Sequence, residues 1–224
     1  MSDTLSSITN HRKGVYVQYG CGAVAPEGWI NFDASPSLRI QHLPIIGMLI
    51  RSKLPAIFPD AVKYGDISIG LPGIAPNSAD GLYCSHVLEH LALEDFKNAL
   101  KNSYSILKPG GLFRCIVPDL EASINWYLEA RQAGDEKASI KFIGTNTIMG
   151  IEHNPKTVLG KIRAMYGNSG HRWMWDHYSM KYELANAGFK EIRKCEFNDS
   201  RDPLFKLVES RERFTSAVAY ECTK

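Results

Sequence analysis

The sequence has no long hydrophobic run and no marked excess of either charge. No stretch of its 224 residues approaches the roughly 18 apolar residues of a membrane span, and residues 1–13 are polar where a signal peptide is apolar. The 26 basic and 24 acidic side chains give a formal net charge of +2, whereas nucleic-acid binding usually calls for a clustered basic face. We therefore expect a cytoplasmic protein with no membrane span and no nucleic-acid partner.

Cysteine is scarce, and its spacing argues against two kinds of site. The five cysteines are Cys21, Cys84, Cys115, Cys195 and Cys222. They form no close pair and no spacing typical of a zinc site, and their odd, scattered arrangement favours a reducing compartment. We therefore expect no metal site.

The overall composition fits one ordinary folded domain. It is 44% hydrophobic and 22% charged, and a chain of this length can bury a sizeable core. It contains no internal repeat and no low-complexity segment. Residues 1–224 are therefore predicted to form a single domain.

The apolar pattern predicts strands that alternate with helices. The predicted strands are residues 14–19, Trp29–Asp33, Ala61–Asp66, Leu82–Ser85, Leu112–Val117, Lys190–Cys195 and Phe214–Glu221. Helices are predicted over Leu91–Leu107 and Ser179–Ala187, and Leu43–Leu54 also has helical apolar spacing. This alternation favours an α/β fold with a mostly parallel sheet.

Glycines and carboxylates follow the predicted strands at their carboxyl ends. Gly20 and Gly22 follow the first strand, where a loop without side chains lets the backbone approach a ligand. Asp33 ends the second strand, where a carboxylate can accept hydrogen bonds from two ribose hydroxyls. Asp66 and Ile67 fit an adenine site in the same way. The pattern predicts a nucleoside ligand across the carboxyl ends of the strands.

The fourth strand ends in a polar pair that turns into a helix. Ser85 and His86 close this strand, and His90 follows one helical turn later. His90 is more simply explained as a structural residue. Each of these signals also has an ordinary explanation, since Gly-x-Gly is common in tight turns and Asp at a strand end is often a turn or cap residue.

Three runs, taken in order, resemble the class I S-adenosylmethionine-dependent methyltransferases. The runs are Val15-Tyr-Val-Gln-Tyr-Gly-Cys-Gly22, Ser78-Ala-Asp-Gly-Leu-Tyr-Cys-Ser-His-Val-Leu-Glu-His-Leu91 and Leu107-Lys-Pro-Gly-Gly111. The resemblance covers residues 14–120 and, more loosely, 176–221. It implies a Rossmann-like, seven-stranded, mostly parallel sheet with helices on both faces, its last strand antiparallel. It also implies S-adenosyl-L-methionine as cofactor, held by Tyr19, Gly20, Gly22, Asp33, Asp66, Ile67, Ser85 and His86.

The first loop departs from that family's pattern. Gln18 stands where the family usually has an acid, and no third glycine follows Gly22. Only 13 positions separate Gly20 from Asp33, and Pro26 and Gly28 would break a helix there. We therefore expect an irregular connection between two parallel strands. The same spacing argues against a dinucleotide site, whose glycine motif must open a helix and whose ribose acid lies about 20 residues further on.

Residues 120–175 are predicted to form a helical cap on the acceptor side, inserted between strands 5 and 6. Trp126, Arg172 and Trp173 are its candidate acceptor-binding residues, and His86, Asp119 and His171 are the candidate general bases. Asp119 could equally be a helix N-cap. The run His171-Arg-Trp-Met-Trp-Asp176 could equally be a packed junction in which Asp176 caps the following helix.

The C-terminal part resembles a methyltransferase type 11-like, bacterial, polysaccharide-associated subgroup of this family. The resemblance rests on His171-Arg-Trp-Met-Trp-Asp176, Ala187-Gly-Phe189 and Cys195-Glu-Phe-Asn-Asp-Ser-Arg-Asp-Pro203. It implies O-methylation of a small molecule or a saccharide. Two alternatives stay open: a cofactor-binding interaction module without catalysis, and a methyltransferase for a small metabolite or a quinone-like aromatic. The sequence does not determine the oligomeric state.

Overall fold

A computed structural model describes residues 14–43, 57–145 and 170–224. The strands are β1 Tyr16–Tyr19, β2 Trp29–Asp33, β3 Lys63–Tyr64, β4 Ala79–Ser85, β5 Leu107–Pro118, β6 Lys190–Lys194 and β7 Ala217–Thr223. The helices are α1 Pro36–Gln41, α2 Leu93–Ile106, α3 Leu120–Gln132, α4 Ala138–Thr145 and α5 His177–Asn186. Three short 3-10 turns cover Leu88–His90, Pro203–Leu207 and Arg211–Phe214.

The seven strands form one mixed sheet in the order β3-β2-β1-β4-β5-β7-β6. Strands β1 to β5 pair in parallel, and β7 runs antiparallel to both β5 and β6. The predicted mostly parallel sheet and its antiparallel last strand are therefore confirmed. The carboxyl ends of β1 to β5 lie along one side of the sheet, which we call the carboxyl edge.

The two faces of the sheet are covered differently. Side chains that alternate along a strand point to opposite faces, so Val17 and Tyr19 pack with α2 and α5, whereas Tyr16 packs on the other face. That second face is covered by Phe205 and its neighbours in the segment 203–214, which contains short 3-10 turns, whereas the family resemblance implied helices on both faces. The chain thus buries both faces of a central, apolar sheet.

The connection between β1 and β2 is irregular, as predicted. Residues 20–28 contain no helix, although the two strands they join are parallel neighbours. Such pairs usually need a dozen or more connecting residues. Here the backbone N–H of Cys21 donates to the carbonyl of Phe32 at 3.1 Å, so the loop is fastened directly to the end of β2.

Strand β5 begins earlier than the sequence pattern predicts. Helix α2 ends at Ile106, and β5 starts at Leu107, before the Lys-Pro-Gly-Gly run. The pairing shifts between Ala79 with Leu107 and Gly81 with Leu112, which leaves the glycine-rich run as a bulge. The third strand is shorter than predicted, because after Lys63–Tyr64 the chain turns so that Asp66 bridges Gly70.

Part of the predicted cap, and most of one predicted helix, fall outside the described residues. Helices α3 and α4 lie at the start of the 120–175 segment and contact each other, while residues 146–169 are outside the described ranges. Within Leu43–Leu54, only Leu43 is described. No helix in the described ranges is both long and apolar enough to cross a membrane. All five cysteines are buried and unbridged.

Candidate active site

The glycine loop after β1 is a turn that only glycine adopts without strain. Gly20 has φ +65° and Gly22 has φ +56°, both in the left-handed region. At Gly20 a Cβ atom would lie 2.1 Å from Cγ2 of Val87, so this loop touches the turn that follows β4. At Gly22 no atom lies within 4 Å of the same position. The loop is therefore closely packed at its first glycine and open at its second.

Asp33 fastens this loop to the end of β2. Its Oδ2 accepts a hydrogen bond from the N–H of Gly22 at 3.0 Å, and its Oδ1 accepts one from Ser35 at 2.8 Å. The side chain is 5% exposed. A carboxylate oxygen can accept more than one hydrogen bond, so Asp33 both shapes the loop and keeps capacity for a ligand at its rim. Its predicted contact with ribose hydroxyls stays a prediction.

Gln18 supports the loop from beneath. Its amide nitrogen donates to the carbonyl of Val24 and to Oδ1 of Asn31, both at 2.6 Å. The side-chain amide of Asn31 in turn donates to the carbonyls of Pro26 and Trp29. Because an ionised acid has no proton to donate, the usual acid of the family could not make these contacts. The Gln18 amide therefore stabilises this short connection between β1 and β2.

Gln18→Glu should destabilise the protein although it restores the family's usual residue. The new carboxylate would face two oxygen acceptors in a buried position where Gln18 is 2% exposed. An unsatisfied buried polar group costs about 1–3 kcal/mol. Chemical denaturation of the variant and the wild type measures this loss. Gln18→Asn, a shorter amide that keeps the donor, is the control. Equal stability of Gln18→Glu and the wild type would show that the hydrogen bonds of Gln18 do not stabilise the loop.

The predicted adenine pair lies in a tight turn after β3. Oδ1 of Asp66 accepts hydrogen bonds from the N–H and the hydroxyl of Ser68, at 2.9 and 2.7 Å. Ile67 is buried in the main core, and its carbonyl accepts a hydrogen bond from the amide of Asn102 at 2.7 Å. The turn is thus held against α2. A role for either residue beside an adenine ring stays a prediction.

Tyr19 and Ser85 are the last residues of β1 and β4. The Tyr19 ring is buried in the core, and its hydroxyl lies 3.2 Å from Oγ of Ser103. Ser85 is the last residue of β4 and pairs with Ile116 of β5. Both residues therefore stand at the carboxyl edge, as predicted from the strand pattern, but the Tyr19 side chain points into the core.

His86 adopts a backbone conformation that is uncommon for any residue except glycine. Its φ is +54°, and such outliers cluster at functional sites. Its N–H donates to the carbonyl of Ile116 at 2.8 Å, and its ring Nε2 lies 2.9 Å from the carbonyl of Arg213. The ring is thus fixed at the carboxyl edge by contacts with β5 and the C-terminal segment.

Four titratable residues lie together at this end of β4. They are His86, Glu89, His90 and His171, and we call them the histidine–carboxylate cluster. Oε1 of Glu89 lies 3.6 Å from Nδ1 of His86 and 3.7 Å from Nε2 of His90. The rings of His90 and His171 meet edge to face, with centroids 5.1 Å apart. The cluster therefore gathers three imidazoles around one carboxylate.

Burial shifts the pKa of every member of the cluster in the direction that favours the neutral form of the side chain. It raises the pKa of Glu89 to about 8 and lowers the pKa of His171 to about 4, with smaller contributions from the other histidines. The pKa values of His86 and His90 are also lowered, chiefly by burial. Desolvation disfavours charge in both kinds of group. Groups with pKa values shifted this way mark a candidate functional site.

Residues 170–176 run along the carboxyl edge and join the cluster to β5. The backbone N–H groups of Arg172 and Trp173 both donate to the carbonyl of Glu89, at 2.8 and 3.1 Å. Further on, the N–H of Leu120 donates to the carbonyl of Trp175 at 2.9 Å. The side chains of Arg172 and Trp173 are exposed beside these contacts. The segment therefore carries two of the predicted acceptor residues to the site.

Both residues with an alternative structural explanation are helix N-caps. Oδ1 of Asp119 accepts from the N–H of Glu121 at 2.9 Å, at the start of α3. Asp176 and Ser179 form a reciprocal capping box at the start of α5. Asp119 nonetheless stands at the end of β5, on the carboxyl edge, and a catalytic role for it stays a prediction. Trp126 lies on α3 and is 42% exposed.

Glu89 is the central residue of the site that the sequence analysis missed. It is fully buried, and neither carboxylate oxygen has a hydrogen-bond partner within the described residues. The available signal is the spacing His86-x-x-Glu89-His90, since residues three and four apart share one side of a helical turn. The residue that completes the group, His171, lies too far along the chain for such a pattern to find.

One family model matches the central part of the chain. Residues 51–115 match the Methyltransf_11 model, described as a methyltransferase domain. The matched stretch includes β3, β4, α2 and the first part of β5, and so includes Asp66, Ser85, His86 and Glu89. A comparison with curated proteins found no match.

Solved structures with a similar fold are only distantly alike in sequence. A SAM-dependent methyltransferase from Archaeoglobus fulgidus has 16% identity and a TM-score of 0.48, covering 100% of this chain and 90% of that one. A SAM-dependent methyltransferase from Thermotoga maritima, described as a possible histamine N-methyltransferase, has 16% identity and a TM-score of 0.46, covering 100% and 88%. At these values the likeness carries no argument about this chain.

The domain match agrees with two features of the fold, the turn after β4 and the strand order. The matched residues hold the turn after β4, and the strand order has the antiparallel last strand that the family resemblance implied. Together they support a methyltransferase enzyme that uses S-adenosyl-L-methionine as its cofactor.

Proposed function

We propose that the protein transfers a methyl group from S-adenosyl-L-methionine to a hydroxyl oxygen of a small molecule or a saccharide. The observation that carries the proposal is the glycine loop after β1, which Asp33 fastens at the same sheet edge as His86. In open α/β sheets, ligands bind outside the carboxyl ends of the strands. Residues 1–224 would act as a single methyltransferase domain.

The loop fits the proposed cofactor on its own geometry. The position of a Cβ at Gly22 faces open space, so the backbone there is accessible to a ligand. Asp33 lies directly beneath it, with lone pairs beyond the two it uses for the backbone. We assign the cofactor to Tyr19, Gly20, Gly22, Asp33, Asp66, Ile67, Ser85 and His86, with Tyr19 acting through its backbone.

The protein's own contribution to methyl transfer is positioning and proton handling. The sulfonium of the cofactor supplies an activated methyl group with a neutral leaving group. The chain then needs to hold the acceptor in line and exclude water, and a base helps when the acceptor is a hydroxyl. His86, His171 and Asp119 are the proposed candidates. His86 is held at the strand end with Nδ1 facing the cluster.

The acceptor side is assigned to residues 120–175. Trp173 is 43% exposed, and Trp126 and Arg172 are also exposed. Aromatic faces suit a sugar ring or a flat aromatic acceptor, and a guanidinium suits a carboxylate or phosphate. We favour a saccharide acceptor of cell-surface polysaccharide assembly, because the C-terminal sequence runs resemble enzymes of that kind. A nucleotide sugar combines the ring and the phosphate in one molecule.

Calorimetric titration with S-adenosylmethionine, S-adenosylhomocysteine and NAD tests the cofactor assignment. We expect both sulfur nucleosides to bind in the micromolar range and NAD to be inert. Asp33→Asn keeps the size of the side chain but removes its charge and one acceptor. It should weaken binding at least about tenfold, equivalent to about 1.4 kcal/mol. The same titrations in Asp135→Asn, a change in an aspartate at the start of α4, should match the wild type.

Two results would contradict this proposal. Failure of folded wild-type protein to bind either nucleoside would favour the interaction-module alternative. Unchanged affinity in Asp33→Asn, with unchanged thermal stability, would remove Asp33 from the site. If binding is found, an acceptor screen that begins with nucleotide sugars and includes quinone-like aromatics distinguishes the remaining acceptors.

A further inference from the structure

Hydrogen bonds at the rim of the histidine–carboxylate cluster determine which ring nitrogens carry protons. Nε2 of His86 lies 2.9 Å from the carbonyl of Arg213, and Nδ1 of His90 lies 3.1 Å from the carbonyl of Gly170. A carbonyl oxygen can only accept, so these two nitrogens are the donors. In a neutral imidazole the other nitrogen then has an unprotonated lone pair.

Those lone pairs converge on a carboxylate. The second nitrogen of His86 lies 3.6 Å from Oε1 of Glu89, and that of His90 lies 3.7 Å from the same oxygen. His171 adds a further Nδ1 that is buried and has no hydrogen-bond partner within the described residues. The free lone pairs of His86 and His90 therefore both face the Glu89 carboxyl group, with Nδ1 of His171 buried beside them.

Glu89 makes this arrangement costly unless a cation lies within it. The side chain is fully buried, and both of its oxygens lack a hydrogen-bond donor in the described part of the chain. Burying an unpaired carboxylate is strongly unfavourable, and buried polar groups in native proteins nearly always have partners. The missing partner is either a proton on Glu89 or a small cation, and the imidazole nitrogens gathered around this carboxyl group favour a metal ion.

We propose that Glu89, His90 and His171 bind one divalent first-row transition metal ion, of which Zn²⁺ is the representative, with His86 beside the site. Imidazole and carboxylate ligands together suit Zn²⁺, Fe²⁺, Mn²⁺ or Co²⁺. With metal–ligand bonds of about 2.0–2.1 Å, neighbouring ligand atoms in a tetrahedral site lie about 3.4 Å apart. The 3.7 Å between Oε1 of Glu89 and Nε2 of His90 is close to that value.

The remaining distances require only a modest closing of the cluster. Ligand atoms of Glu89, His90 and His171 all lie within 4.8 Å of one another, so a metal would draw them together. The carbonyl of Gly170 accepts a hydrogen bond from Nδ1 of His90 and holds that ring from behind, which is the usual outer-shell arrangement for metal-binding histidines. The backbone of Glu89 is fixed by the N–H groups of Arg172 and Trp173.

The position of this site gives it a use in methyl transfer, a consequence that rests on the proposed function. His86 follows directly after β4, and Val87 touches the glycine loop at Gly20. Three protein ligands leave a fourth coordination position open, which would orient an oxygen of the acceptor beside the assigned cofactor site. His171 would then be a ligand, and His86 and Asp119 would be the candidate bases. The metal site itself does not depend on that use.

Titration of the full-length protein with Zn²⁺ tests the site without cofactor or acceptor. After treatment with a chelator and dialysis, calorimetry and elemental analysis should give one ion per chain, with a dissociation constant in the micromolar range or tighter. Co²⁺ should give a visible absorption spectrum typical of nitrogen and oxygen ligands. Zn²⁺ should also raise the melting temperature.

Glu89→Gln and His171→Asn should weaken Zn²⁺ binding about 100-fold or more, since even outer-shell changes cost 10–100-fold. Glu89→Gln keeps the shape of the side chain and removes a buried charge, so the metal-free variant should stay folded. His42→Asn, a change in an exposed histidine after α1, is the matched control and should bind as the wild type does.

Two outcomes would overturn the proposal. Absence of stoichiometric binding of Zn²⁺, Mn²⁺ and Co²⁺ would mean that the cluster binds only a proton. Binding that Glu89→Gln and His171→Asn leave unchanged would place the ion elsewhere on the chain. Failure of S-adenosylhomocysteine to bind would contradict the proposed function but leave the metal result intact, so the two proposals fail separately.

Discussion

Arg114→Met should lower the free energy of unfolding by about 3–5 kcal/mol, the usual cost of removing one partner from a buried ion pair. The Arg114 side chain is fully buried in β5. Its guanidinium contacts Glu209, Glu221 and Asp199, and the side chains of Glu209 and Glu221 are also buried. Burial raises the pKa of Glu209, and Arg114 opposes that shift. Without Arg114, Glu209 would keep only the N–H of Asn198 as a partner among these contacts.

A second arginine in the same network provides the matched control. Arg193 of β6 also binds Glu221, at 2.7 Å, but its side chain is 29% exposed. Arg193→Met should cost about 1 kcal/mol or less, because Glu221 keeps Arg114 and solvent reaches the site. Urea denaturation of both variants measures the difference.

The double variant Arg114→Met with Glu209→Gln separates two costs. One is the loss of the ion pair, and the other is the burial of an unpaired Glu209 carboxylate. The double variant should recover part of the loss, because the carboxylate left unpaired by the first change is then neutral. Equal destabilisation by Arg114→Met and Arg193→Met would show that the buried network contributes no more than a surface ion pair. No recovery in the double variant would show that the cost lies elsewhere, in packing around Arg114.

The arrangement at the strand ends was predictable because it depends on local sequence. Apolar runs that end in Gly20, Asp33 and Ser85 gave the strands and their shared edge. Pro26 and Gly28 excluded a helix from the first connection, and the structure has none there. These features arise from backbone preferences and short-range periodicity, which a single sequence expresses directly.

The buried polar groups were not predictable, because their partners are distant in the chain. Arg114 meets Glu209 and Glu221 across 95 and 107 residues, and His90 meets Gly170 across 80 residues. Nothing in the local pattern identifies such partners. Arg201 and Arg213 are exposed, but the backbone carbonyl of Arg213 reaches His86.

The role of Asp33 shows the same division on a smaller scale. Its place at the end of β2 followed from the sequence, but its hydrogen bonds to Gly22 and Ser35 depend on how the short loop folds back. The loop is short enough that a backbone N–H takes one of the carboxylate's oxygens. A residue that is predicted to bind a ligand because of its position can therefore also stabilise the fold. Variants of such a residue need a stability control.

Gly20→Ala should destabilise the protein by about 2–5 kcal/mol, the sum of a left-handed alanine and local overpacking, and should abolish measurable binding of S-adenosylhomocysteine. The new Cβ would lie 2.1 Å from Cγ2 of Val87, and φ at this position is +65°. The side chain of Val87 has little freedom to move away, because it is β-branched and packs against the main core. The strain would pass directly into the turn that holds the histidine–carboxylate cluster.

Gly22→Ala isolates the backbone part of this effect, since Gly22 has φ +56° but nothing within 4 Å of its Cβ position. It should cost about 1–2 kcal/mol, and the difference between the two variants measures the contact with Val87. Adding Val87→Ala to Gly20→Ala should restore stability toward the Gly22→Ala value, while Val87→Ala alone should be mildly destabilising. Equal melting temperatures for the two glycine variants would show that the loop and the turn after β4 are not in contact in solution. The glycine loop would then move independently of His86, and the proposed alignment of cofactor and acceptor at one edge would lose its structural basis.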